Sequence, residues 1–177
     1  NNIYAAGFMN LFQASKNQIM LREHFRSHPL IIGFSNLNIY FKKYKTPLEI
    51  KKADKYSEDT DGLSYVQVSG SCKKPNSGSS WFNKKEANKV INIVKTIKDK
   101  GENKSLTIGI VTPFKKQRDL IIDSLKEIGI AGIDVGTAHV YQGQEKDIMI
   151  FSTVVSHGID PSAAAWISNP PNVLNVA

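Results

Sequence analysis

Between positions 83 and 154 two segments of helical period alternate with three short apolar runs, and that rhythm leaves few folds open. Asn83 can cap a helix, with Glu86 at the capping-box position three residues on. Ala87, Val90, Ile91, Val94 and Ile97 then form one apolar stripe, which Gly101 can end. A second helix opens at Pro113, carries Gln117, Leu120, Ile121, Leu125 and Ile128 on one side, and stops at Gly129. The runs 106–111, 133–137 and 148–154 read as strands. Strands joined through helices lie parallel. The expected fold is therefore α/β, a parallel sheet with helices on both faces. In such sheets the loops leaving the carboxyl ends of the strands make the ligand site. That singles out 112–113 and 137–145.

Upstream, 19–21 reads as a short strand, and Pro29 suits the first turn of a helix over 28–41. Residues 42–62 are charged and read as an irregular surface. Residues 63–68 alternate in strand fashion, and 69–80, rich in Gly, Ser, Pro and Lys, form a loop. A helical turn is expected around 163–166 in an otherwise irregular 160–171. The 177 residues suit one domain over 1–177, and 41% hydrophobic residues suffice for a core. A net charge of +7 fits a polyanionic partner. The lone Cys72 cannot form an internal disulfide or a cluster, and no run reads as a secretion signal or a bilayer span. The expected setting is cytoplasmic, with no membrane partner and no metal site.

Three polar blocks stand where this fold does chemistry. The first is Leu21-Arg22-Glu23-His24-Phe25-Arg26-Ser27-His28-Pro29. Helix N-termini attract phosphate and Arg supplies a planar fork of donors, so Arg26 reads equally as a phosphate ligand or as part of a solvated turn. His24 and His28 read as structural. The second is Thr112-Pro113-Phe114-Lys115-Lys116-Gln117, either a contact to a nucleic-acid backbone or an ordinary helix start with an exposed basic face. The third runs Thr137-Ala138-His139-Val140-Tyr141-Gln142-Gly143-Gln144-Glu145. A loop that only connects has no need of His, Tyr, Gln and Glu together, and Gly143 permits close backbone approach.

Taken in order, the blocks resemble the C-terminal RecA-like domain of superfamily 1 helicases, in the Upf-like branch. LREHFRSHP resembles that family's motif IV, VTPFKKQ its motif IVa, and GTAHVYQGQEKD its motif V with a QGxE core. Asn83 to Ala87 matches the family's Asn-x-x-Glu-Ala helix start, and 172–177 the lead-in to motif VI. The resemblance implies a RecA-like motor domain of an ATP-dependent DNA or RNA helicase, and it implies roles. Arg26 matches the arginine that reaches the γ-phosphate of ATP held on the N-terminal RecA-like domain. Gln142 and Gly143 match the part of motif V beside the nucleotide. Glu145 matches the acid that bonds the ribose. Thr112, Thr137 and His139 match contacts to single-stranded nucleic acid, with Lys115 and Lys116 beside them.

The departures are equally specific. Phe25 and Phe114 stand where Tyr is common. There is no GxxxxGK[ST] loop in these 177 residues, so ATP and Mg²⁺ are expected mainly on the other RecA-like domain, and this chain alone is expected to be inactive. The stretch is expected to be cut within the lead-in to motif VI. The competing reading is a non-catalytic nucleic-acid-binding module that keeps these motifs as relics. A small-molecule enzyme on a doubly wound sheet lacks the glycine-rich fingerprint it needs after its first strand.

Overall fold

A histidine and a proline start the first helix. The computed structural model describes residues 21–25, 27–42, 45–51, 62–76, 78–101, 105–141 and 144–168, apart from the side chains of 138 and 139. Two compact units divide the chain, Asn1–Leu63 and Ser64–Ala177.

In the first unit His28 caps α1 (Pro29–Ser35), its Nδ1 accepting the Leu30 N–H at 3.2 Å. Pro29 costs nothing there, because the first helical N–H has no partner to lose. The helix expected over 28–41 continues past Ser35 as a wider π-helix, Asn36–Phe41. Strand β1 (Glu23–His24) lies beyond the expected 19–21, of which 19 and 20 fall outside the described residues. The charged stretch 42–62, expected to be irregular, holds a second strand, β2 (Glu49–Ile50), paired parallel with β1. Asn36 explains it. Its side-chain amide accepts the Leu48 N–H at 2.6 Å and donates to the Leu48 carbonyl at 3.0 Å, standing in for a neighbouring strand. Lys51 reaches Glu49 at 2.9 Å and Glu23 at 3.3 Å across the pair, and its ammonium holds the Glu49 carboxyl below its usual range.

In the second unit Asn83 caps α2 (Lys84–Asp99), accepting the Glu86 N–H at 3.1 Å. Strand β3 (Ile108–Val111) follows, then α3 (Lys115–Glu127), β4 (Ile133–Gly136), a 3₁₀ turn (Ala138–Tyr141), β5 (Ile148–Phe151) and α4 (Pro161–Ser168). Helix α3 starts two residues after the expected Pro113, and α4 is longer than the expected turn at 163–166. Gly129, at a φ of +70°, ends α3 in a conformation that suits glycine.

The sheet runs β4-β3-β5, all parallel, as the alternation requires. Ala87, Val90, Ile91 and Val94 of α2 meet Ile121 and Leu125 of α3 over Ile110, with Ile133, Val135 and Ile150 against them. Burying each such branched side chain contributes roughly 1.5–3 kcal/mol. A smaller cluster joins Cys72, Phe114, Val154 and Ile167, so α4 is tied to the end of the sheet from which Phe114 departs. The strand expected over 63–68 does not form. Its side chains alternate, but Tyr65 and Val66 are both exposed, and the nearest pairing is an isolated parallel bridge between Ser71 and His157. Alternation supplies a face for burial; a strand also needs a partner for its backbone. Among the described residues no helix is long and apolar enough to cross a membrane.

Candidate functional site

Register fixes the site. Val111 pairs with Gly136 on one side and Phe151 on the other, so β3, β4 and β5 end level. The next residue of each is a hydroxyl: Thr112, Thr137 and Ser152. The ladder continues one step through them, with Thr112 N–H donating to the Gly136 carbonyl at 3.1 Å and Ser152 N–H to the Val111 carbonyl at 2.8 Å. Two of the blocks therefore leave from one edge.

Thr112 is wholly buried, and its Oγ lies 3.5 Å from the Phe114 N–H. Its side chain shapes the turn into α3, at the position expected to contact the nucleic-acid backbone. Lys115 and Lys116 occupy the exposed first turn of α3. Thr137 is half-buried, its carbonyl accepting the Val140 N–H at 2.9 Å. Glu145 is exposed. Gln142, Gly143 and the His139 side chain lie outside the described residues, and so does Arg26. Beside Arg26 in sequence, His24 Nε2 accepts the Ser27 N–H at 2.8 Å and His28 caps α1, so both histidines serve the backbone.

Tyr141 anchors the third block, a role the sequence reading did not assign. A methyl on Gly109 would come within 3.1 Å of Tyr141 Cε1, and one on Gly136 within 3.1 Å of Cε2. The ring thus rests across two strands, on the face opposite Ile110 and Val135, where only glycine leaves room. Its hydroxyl accepts the Ile110 N–H at 3.2 Å and donates to the Asp134 carbonyl. Burial raises its pKa to about 12, against a smaller lowering by the Ile110 backbone, so it stays a neutral donor. Past the loop, Asp147 accepts from Thr107 N–H at 2.8 Å and from its hydroxyl at 2.6 Å, which hold its carboxyl below the usual range.

A polar network ties the same edge to the helices. The wholly buried Gln117 accepts the Asn83 N–H at 2.8 Å and donates to Ser152 Oγ at 3.1 Å. Ser152 donates in turn to Glu86 Oε1 at 2.8 Å, and that carboxylate also accepts the Val154 N–H at 3.0 Å. Half of the expected capping box is therefore absent: Gln117, not Glu86, takes the Asn83 N–H, and Glu86 turns to the exit of β5. Val154 has a φ of +65°, a strained conformation for a β-branched residue. Gln117 carried a signal of its own, being the one polar residue on the stripe assigned to α3.

A family model described as AAA domain matches residues 5–177. The chain belongs to that family. With its parallel sheet it is a RecA-like domain of the superfamily 1 helicase type, as the three blocks implied. Probable helicase senataxin of Homo sapiens is 31% identical over 148 residues, which cover 81% of this chain and 6% of that protein. The regulator of nonsense transcripts 1 homolog of Neurospora crassa is 26% identical over 184 residues, covering 96% of this chain and 16% of that protein. RNA helicase Mov10l1 of Mus musculus is 24% identical over 147 residues, 77% of this chain and 12% of that protein. The chain therefore spans less than a fifth of the relatives it matches.

Lys115 and Lys116 stand at the carboxyl edge, while Glu145 precedes Lys146, which pairs with Asp134 near the start of β4. An exposed acid and basic helix start are present, but the 177 residues hold no phosphate-binding loop. Among the described residues no group of three His, Cys, Asp or Glu gathers to hold a metal ion.

Proposed function

We propose that this RecA-like domain is the C-terminal half of an ATP-dependent helicase motor acting on DNA or RNA. The observation that carries the reading is the level carboxyl edge, from which the 112–117 and 137–145 blocks both leave. The chain forms the far wall of a cleft whose other wall, the N-terminal RecA-like domain, holds ATP and Mg²⁺ through its own phosphate loop. When bound, ATP supplies the phosphoryl group whose transfer drives opening and closing of the cleft.

This chain's residues orient and stabilise. Glu145 accepts ribose hydroxyls. Gln142 and Gly143 stand beside the triphosphate. Arg26 reaches toward the γ-phosphate, where charge develops in transfer. Thr137 and His139 touch the single strand, and Lys115 and Lys116 steer its phosphates. Thr112 contributes by setting the turn that aims α3.

Two measurements test the reading. The 177 residues carry no GxxxxGK[ST] loop to hold the β- and γ-phosphates, so ATP turnover by the isolated chain stays at background with or without single-stranded nucleic acid. Stimulated turnover by the pure chain contradicts it. Single-strand affinity should fall steeply with salt, and replacing Lys115 and Lys116 by Ala should flatten the log–log slope by about 1.4, the release expected for two phosphate contacts. Replacing Lys42 and Lys43 instead should leave the slope unchanged. Equal flattening by both pairs would reduce the site to generic charge.

A further inference from the structure

Both ends of the segment that carries Glu145 are fastened to one residue of β4. At its start, the Tyr141 hydroxyl donates to the Asp134 carbonyl. At its end, the Lys146 ammonium pairs with the Asp134 carboxylate. Between them the Gln144 N–H closes back on the Tyr141 carbonyl at 3.1 Å. The floor is cut to match. A methyl on Gly109 would stand 2.5 Å from Met149 Sδ, 3.0 Å from Lys146 Cγ and 3.1 Å from the Tyr141 ring, so the lysine stem and the tyrosine ring share one glycine seat. Lys146 is only 17% exposed in its side chain, whereas Asp134 is 60% exposed. The lysine is therefore packed against the sheet, and the aspartate reaches over it.

We propose that Asp134 staples this segment from both ends, and that Tyr141 and Lys146 are positioning residues that fix where Glu145 meets the nucleotide ribose. The inference rests on the proposed ribose role of Glu145. Neither Tyr141 nor Lys146 touches the ligand. Each acts through the backbone it holds, by limiting how far Glu145 can drift. A ribose contact holds ground state and transition state alike, so loosening it raises KM for ATP and leaves kcat nearly unchanged.

The experiment uses the full-length protein and measures kcat and KM for ATP, together with melting temperature. Tyr141→Phe keeps the ring on its glycine seat and removes the first fastening. Asp134→Lys reverses the second at a largely exposed position, and Asp134→Lys with Lys146→Asp restores the opposite charges. Tyr141→Phe and Asp134→Lys should each raise KM about fivefold, the worth of one net hydrogen bond, with kcat within a factor of about two. The charge exchange should return KM toward its starting value. Glu145→Ala is the benchmark. If it leaves KM unchanged, the ribose reading fails and the staple has nothing to position. If Glu145→Ala raises KM but Tyr141→Phe and Asp134→Lys lower only the melting temperature, the two fastenings are merely structural and the proposal is overturned.

Discussion

Glu86→Ala lowers the stability of the 177-residue chain by about 3 kcal/mol, roughly 10 °C in melting temperature. The Glu86 carboxylate takes the Ser152 hydroxyl at 2.8 Å and the Val154 N–H at 3.0 Å. Hydrogen bonds to a charged acceptor are each worth about 1.5–3 kcal/mol, and the half-buried position of Glu86 sets the total toward the lower end. Val154 itself is wholly buried, so water cannot readily replace the lost acceptor. Its φ of +65° adds a strain of about 1–3 kcal/mol that the bond helps to hold. Glu86→Gln keeps one acceptor oxygen and should cost about 1 kcal/mol. Because Ser152 sits between Gln117 and Glu86, Ser152→Ala and Glu86→Ala together should cost less than their sum. Thermal melts read all of these. A shift below about 2 °C for Glu86→Ala would mean the network does not hold the exit of β5.

That network marks where sequence reading stops. The helices at 83–101 and 113–129 and the three strands beside them were legible because apolar spacing survives any tertiary arrangement. The caps at Asn83 and Gly129 were legible because they act within a few residues. What Glu86 bonds to is not local: its partners lie 66 and 68 residues away, and spacing alone points to the nearest N–H instead. Strand β2 was hidden for a similar reason, since an asparagine amide 12 residues upstream completes its backbone pairing. The stretch 63–68 shows the converse, a strand pattern with nothing to pair against among the described residues.

The candidate edge was legible as a place before it was legible as a machine. Strand ends followed by polar blocks pointed to 112–117 and 137–145, and the register brings the starts of both to one edge. The burial of Thr112 was not readable, because a threonine after a strand looks the same facing inward or outward. Nor was the seat of Tyr141, which depends on two glycines in different strands meeting under one ring.

Arg26 carries the central claim, that this chain lends an arginine to ATP hydrolysis on another domain. A guanidinium aimed at the γ-phosphate engages most strongly as charge builds in the transition state. Removing it should therefore act on kcat and spare ground-state binding. In the full-length protein Arg26→Ala should lower kcat on the order of a hundredfold or more, by the scale of other arginine fingers, with KM for ATP and single-strand affinity near normal. Arg26→Lys should recover little, since a point charge does not reproduce the fork. Glu145→Ala should divide the other way, raising KM with little change in kcat. The deciding measurement is steady-state, nucleic-acid-stimulated ATP hydrolysis by the Arg26→Ala protein. A collapse in kcat at nearly constant KM is the predicted result, and wild-type turnover would contradict the account.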